Sequence, residues 1–157
     1  MPQATELAQE VLSWHSLIVV LVTTGIVVAC VLLHYEAFAL LTRALARLHV
    51  RIRRRRILLL MFGLLALHIV EIWMFAFGYW SLADNRAFGR LHGAGAAHLV
   101  DYVYYSTVCY TTLGLGDLYP IGAIRFMTGM EALSGFLLIT WSASFTFLEM
   151  QRFWKTD

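Results

Sequence analysis

Cysteine is scarce: the chain holds only Cys30 and Cys109, both inside apolar stretches. No disulfide framework or thiolate metal site follows from two such residues, and both read as small buried hydrophobes. Acidic residues are missing from Arg43 to Arg56, a stretch that carries seven of the twelve basic residues. Flanked by apolar runs, such a stretch reads as a cytoplasmic loop under the positive-inside rule and not as a nucleic-acid surface. The opening Met1-Pro2-Gln3-Ala4-Thr5-Glu6 has no basic residue, so the first apolar run reads as a retained span and not as a cleaved signal. That run also lacks evenly spaced arginines, which excludes a voltage-sensing helix. The long apolar runs lack alternation, which excludes a β-barrel. No phosphate loop, nucleophile–base set or metal constellation stands out, and no enzymatic activity is expected.

What the chain does have is apolar length. Of its 157 residues 60% are hydrophobic, and the mean hydropathy is +0.69. Three stretches suffice to cross a bilayer, which takes about 20 helical residues: about Trp14 to Leu41, Ile57 to Trp80, and Ile121 to Met150. With the arginine cluster inside, the N-terminus lies outside, the segment Ser81 to Pro120 begins outside, and the C-terminus is cytoplasmic. Trp14, Tyr79 and Trp80 then fall at the outer interface and Phe153 and Trp154 at the inner one, as aromatic belts require. The third stretch exceeds the hydrocarbon thickness and is expected to tilt or bend.

The informative region is Ser81 to Pro120. It opens as a polar, glycine-rich loop and turns apolar and aromatic over Leu99 to Tyr110, too short to span and of the length of a re-entrant helix. Thr111-Thr112-Leu113-Gly114-Leu115-Gly116-Asp117 follows. A potassium ion entering a narrow pore must exchange its water for other oxygens, and backbone carbonyls serve if successive ones point the same way. An ordinary strand alternates its carbonyls. Glycine at every second position, as at Gly114 and Gly116, admits the unusual backbone angles that the alternative needs. Such backbone is tolerated at membrane depth only where protein or water surrounds it. The helix before it would also turn its negative end toward a central cavity. One such loop per chain supplies one wall of a pore, so four chains are expected around an axis.

The run Thr112-Leu113-Gly114-Leu115-Gly116-Asp117 resembles the T-x-G-x-G-D selectivity filter of potassium channels, and about Ile57 to Met150 resembles their pore module. The resemblance implies an all-α membrane protein: three transmembrane helices with a re-entrant pore helix and filter, homotetrameric. Residues 1–56 would form an N-terminal span with a basic loop, and 57–157 the pore domain. It implies passive potassium conduction across a plasma membrane, bacterial by the resemblance, with K+ as the permeant ion and no organic cofactor. Backbone carbonyls of Thr112, Leu113, Gly114 and Leu115 would hold the ion, with Gly116 completing the filter. Asp117 would pack behind it against Tyr104 or Tyr105. Gly135 falls near the family's inner-helix hinge, and Ile139, Ala143 and Phe147 are candidate cavity-lining residues. Three features depart from the pattern. Leu115 stands where tyrosine or phenylalanine is usual, although some two-pore-domain subunits carry leucine there. The first span has no counterpart in two-span channels, and no cytoplasmic sensor domain follows the third. The Leu115 change keeps a nonselective cation channel open as a rival.

Two acids lie within spans, which is costly unless they are paired or wetted. Glu71 sits eight residues below Tyr79 and Glu131 ten after Ile121, so both are about 12–15 Å deep. They are expected to brace the filter through Ser106, Thr107 or Thr111, either as proton sensors or as plain structural contacts. His68 is set to pair with Glu71 at i, i+3. His34 and Glu36 fall near the inner end of the first span. A haem or metal role for His34 and His68 in a non-conducting intramembrane cofactor protein is the rival from another class; plain packing is the commoner role for such histidines. His92 and His98 lie outside as isolated groups. Gly135 either flexes or permits close helix packing, as Gly129 also does. Arg51, Arg53, Arg54, Arg55 and Arg56 are candidate contacts for anionic lipid.

Overall fold

A computed structural model describes residues 14–47, 53–83, 85, 87–93 and 98–154. Three long helices dominate it: α1 (Trp14–Arg47), α2 (Arg53–Ala83) and, after the loop region, α4 (Arg125–Trp154). Within them Trp14–Ala46, Arg55–Ala83 and Arg125–Arg152 are long and apolar enough to cross a membrane. At 1.5 Å per residue α1 is about 51 Å long, well beyond the hydrocarbon thickness of about 30 Å. It therefore runs past the expected end at Leu41 and carries Arg43 within its helix. The guanidinium of Arg56, at the start of α2, donates to the Leu45 carbonyl near the end of α1, a cation on carbonyls that the helix cannot satisfy itself.

Between α2 and α4 lie β1 (Arg90–Gly93), α3 (Leu99–Tyr110) and β2 (Leu118–Ile121). The strands pair antiparallel, Arg90 opposite Ile121 and Gly93 opposite Leu118. The third span consequently begins at Arg125 and not at Ile121: Pro120 cannot donate to a helical ladder, and Leu118 to Ile121 are taken up by the ribbon. This ribbon anchors the chain on leaving the glycine-spaced run to the chain entering α3.

The short helix α3 is wedged between α2 and α4. Tyr105 and Tyr110 are buried in a core shared with Val19 of α1, Phe75 and Tyr79 of α2, and Leu138 of α4. A second core lies toward the other end, where Phe38 of α1 stacks on Phe145 of α4 at 4.3 Å beside Leu60, Leu64 and Leu67 of α2. The first span thus packs against both α2 and α4. Lipid is as apolar as leucine, so helices in a bilayer associate through close packing and polar ties and gain little from burial alone. Both appear here. A side chain at Gly63 would overlap Leu41, and one at Gly78 would overlap Ile26. Large apolar side chains such as Leu21, Leu32, Phe62 and Leu65 remain on the surface.

Candidate ion pathway and its supports

Helix α3 begins with the backbone N–H of His98 donating to the Asp101 carboxylate at 2.8 Å, a negative group on the positive end of the helix. It ends in a tight run of backbone bonds. Thr111 N–H reaches the Thr107 carbonyl at 3.1 Å and Thr112 N–H the Cys109 carbonyl at 2.9 Å. The N–H groups of Leu113 and Gly114 both reach the Val108 carbonyl, at 3.0 and 3.2 Å. The donors entering the glycine-spaced run are therefore satisfied by the helix.

Beyond that point every second residue has positive φ: Thr112 at 59°, Gly114 at 59° and Gly116 at 79°. Successive residues thus alternate in backbone handedness, which breaks the strand habit of pointing carbonyls to opposite sides. Thr112 adopts the left-handed region without glycine's freedom, a strain that surrounding structure must hold. The side chains of residues 111–117 are all exposed in the single chain.

The run is buttressed from outside by Tyr104, whose hydroxyl donates to Asp117 at 2.8 Å. That carboxylate holds the Tyr104 hydroxyl above its ordinary range, so it stays a protonated donor. Of the two tyrosines named as partners for Asp117, Tyr105 turns the other way. Its hydroxyl bonds Thr128 of α4 at 2.8 Å, and its ring meets Tyr79 edge-on at 5.1 Å.

Both buried acids contact α3. Glu131 accepts from Ser106 at 2.5 Å and from Tyr79 at 2.6 Å. Glu71 accepts from Tyr110 at 2.5 Å and meets His34 Nδ1 at 2.8 Å and His68 Nδ1 at 3.0 Å. Two of the expected partners are not used in this way: Thr107 and Thr111 donate to carbonyls one turn back, Val103 and Thr107. Tyr110 was not foreseen as a partner, because a tyrosine at the end of an aromatic run carries no signal of direction. His34 is the larger surprise. It lies at the depth of the end of α3, fully buried, with its Nε2 3.2 Å from Ser142 of α4, while Glu36 is exposed. The His34 and His68 rings are 5.5 Å apart.

On α4, a Cβ at Gly135 would overlap the carbonyl oxygen of Tyr110, whereas one at Gly129 would meet nothing. Gly135 lets the span touch the end of α3, and Gly129 does no such work. Ile139, Ala143 and Phe147 border an open groove of about 480 Å³ that Met61, Leu65 and His68 of α2 also line. At about 100° per residue, Ile139 and Ala143 lie on the flank of α4 facing α2. The arc opposite its buried residues Glu131, Leu138 and Ser142 is centred on Thr140 and Phe147, with Ser144 nearer its edge. On the β1–β2 ribbon His92 stacks on Tyr119 at 5.6 Å, and His92 and His98 are exposed. Of the basic cluster, Arg51 lies outside the described residues, Arg53 and Arg54 are seen as helical backbone only, and Arg55 is exposed. Phe153 and Trp154 are likewise seen as helical backbone, the last turn of α4.

A helix that stops inside a bundle of apolar spans, followed by a glycine-alternating run clasped at both ends, is the pore module of a membrane channel. Residues 57–152, more than half of the chain, match the model of a family described as ion channel. The chain belongs to this family of ion channels, as a multi-pass membrane protein, and the matched residues hold most of α2, all of α3 and most of α4. Neither the comparison with curated proteins nor that with solved structures found a match.

Proposed function

We propose that four copies of this chain enclose a central pore and conduct potassium passively and selectively across a plasma membrane. Carbonyls of Thr112, Leu113, Gly114 and Leu115 replace the ion's hydration shell, and the Thr112 hydroxyl adds an oxygen at the inner mouth. The observation that carries this reading is the alternation of positive φ at Thr112, Gly114 and Gly116, directly after a short helix packed between two apolar spans. Two further observations support it. Leu113 and Leu115 are 63% and 59% exposed in one chain, which leaves large apolar side chains to be covered by neighbours. Asp117 is tied to Tyr104, so the outer end has a fixed support although Leu115 replaces the usual aromatic.

In this reading the N-terminus faces outward, and the basic residues between α1 and α2 face the cytoplasm, where Arg51 and Arg53 to Arg56 meet anionic lipid. Thr140 and Phe147 take the cavity-facing positions on α4, with Ser144 beside them, and Ile139 and Ala143 look toward the groove. Gly135 acts as a packing point against α3; the inner helix runs unbroken through it.

The test is flux. Protein reconstituted in liposomes loaded with potassium chloride should show a potassium leak that barium blocks, and cross-linking should stop at four chains. A leak that barium leaves intact, or an assembly without fourfold stoichiometry, contradicts the reading.

A further inference from the structure

We propose that His34, His68 and Glu71 form a binding site for a divalent transition metal of the zinc class, seated between the first span and the pore module. One donor atom from each residue lies within 4.8 Å of the other two. The set is two imidazoles and a carboxylate, the nitrogen and oxygen donors that zinc takes, with an oxygen available for a fourth position. Tyr110 supplies that oxygen: its hydroxyl is 2.5 Å from Glu71 Oε2 and 3.0 Å from His68 Nδ1. Zinc bonds of about 2.0–2.1 Å in a tetrahedron place donors about 3.3 Å apart. The present imidazole–carboxylate separations of 2.8 and 3.0 Å need widen by only a few tenths of an ångström.

Three features favour a metal over a merely hydrogen-bonded cluster. Each histidine turns Nδ1 toward the same carboxylate, so two ring nitrogens and two oxygens converge on one point from two helices. His34 has a second contact of the kind that orients a metal ligand: its Nε2 lies 3.2 Å from the Ser142 hydroxyl, and Ser142 is itself buried. In the tautomer whose Nε2–H donates to Ser142, the Nδ1 lone pair faces the Glu71 oxygens at 2.8 Å and is free to ligate a cation there. Lastly, His34 and Glu71 are both fully buried within membrane spans. A carboxylate there is expensive without a positive partner, and the groups that meet it are imidazoles and a phenol. Calcium and magnesium ask for more oxygens than this set provides. Copper(I) would prefer sulfur, and the neighbouring Cys30 and Met74 sulfurs pair with each other at 3.9 Å.

The site gives the first span a task. His34 belongs to α1, His68 and Glu71 to α2, and Tyr110 is the last residue of α3, adjoining Thr111 and Thr112. A bound ion would pin the additional span and the outer helix to the inner end of the filter. Metal binding itself does not depend on the conduction reading, and its assay is separate from flux.

The test uses the full chain purified on a tag free of histidine and without chelator, then exposed to zinc or cobalt(II) and washed. The expected result is one metal ion per chain by mass spectrometry of elements, and with cobalt a visible absorption band of tetrahedral intensity. Glu71→Gln and His34→Ala should abolish both, Ser142→Ala should weaken binding about 10–100-fold, and His92→Ala should leave it unchanged. His34→Cys should retain cobalt and add a near-ultraviolet sulfur-to-metal band, which guards against variants that lose metal through misfolding. Wild-type protein that binds less than a tenth of an equivalent, or metal that persists undiminished in both Glu71→Gln and His34→Ala, overturns the proposal.

Discussion

Glu131 offers a graded test of how the inner helix holds the pore helix. Its carboxylate is fully buried and takes one hydroxyl on each oxygen, Ser106 at 2.5 Å and Tyr79 at 2.6 Å. Truncation to alanine affects the two donors unequally. Ser106 also lies 2.8 Å from the Ile72 carbonyl and can donate there instead. Tyr79 has only Thr128 at 3.4 Å to fall back on, beyond the usual range for an O–H···O bond. Leaving a buried hydroxyl donor without its acceptor costs about 1–3 kcal/mol. The lost Tyr79 bond therefore costs about 2 kcal/mol, and the Ser106 exchange with the cavity left behind about 1 kcal/mol more. Glu131→Ala should thus cost about 3 kcal/mol per chain, which for this chain length lowers the melting temperature by about 6–12 °C. Glu131→Gln keeps the shape and one carbonyl acceptor, and should cost about 1 kcal/mol. Melting of the detergent-solubilised assembly, followed by tryptophan fluorescence and gel filtration, reads both. Combining Tyr79→Phe with Glu131→Ala should be less than additive by about 1.5–3 kcal/mol. An alanine variant as stable as the glutamine one, or strict additivity with Tyr79→Phe, refutes the reasoning.

Three further outcomes are expected. Gly135→Ala should destabilise strongly, because the new methyl overlaps the Tyr110 carbonyl, whereas Gly129→Ala meets nothing and should stabilise by about 1 kcal/mol; thermal melts of the pair check this. Gly116→Ala should abolish ion flux while leaving a folded assembly, since φ of 79° penalises a side chain by about 1–2 kcal/mol in each copy; flux equal to that of the parent would contradict it. Tyr104→Phe removes the donor to Asp117 and should lower potassium-over-sodium selectivity with little change in melting temperature, as measured by tracer flux of the two ions.

The spans, the re-entrant helix and the glycine-spaced run were legible because each rests on one stretch of chain. Length and unbroken apolar character mark a span, and Gly114 and Gly116 mark the backbone handedness that the φ values display. What the sequence could not reveal is how the helices are rotated. A span is apolar toward lipid and toward protein alike, so no periodic stripe says which face of α1 turns inward. His34, Glu71 and Ser142 are separated by 37 and 71 positions along the chain, and only their meeting in space gives them a role. The same limit left Gly135 undecided between flexing and packing until the Tyr110 carbonyl was seen against it. The β1–β2 ribbon escaped because its strands are four residues long and lack any alternating pattern. Pro120 in the middle of one argued against a strand, yet is tolerated at the edge of a two-stranded sheet.

The central claim is that backbone oxygens of Thr112 to Leu115 select potassium. Its most direct measurement is the reversal potential of the reconstituted protein with potassium on the inner side and an equal concentration of sodium on the outer side. The account predicts a value more negative than about −59 mV, the potential of a tenfold preference for a monovalent ion. A reversal potential at zero would contradict it.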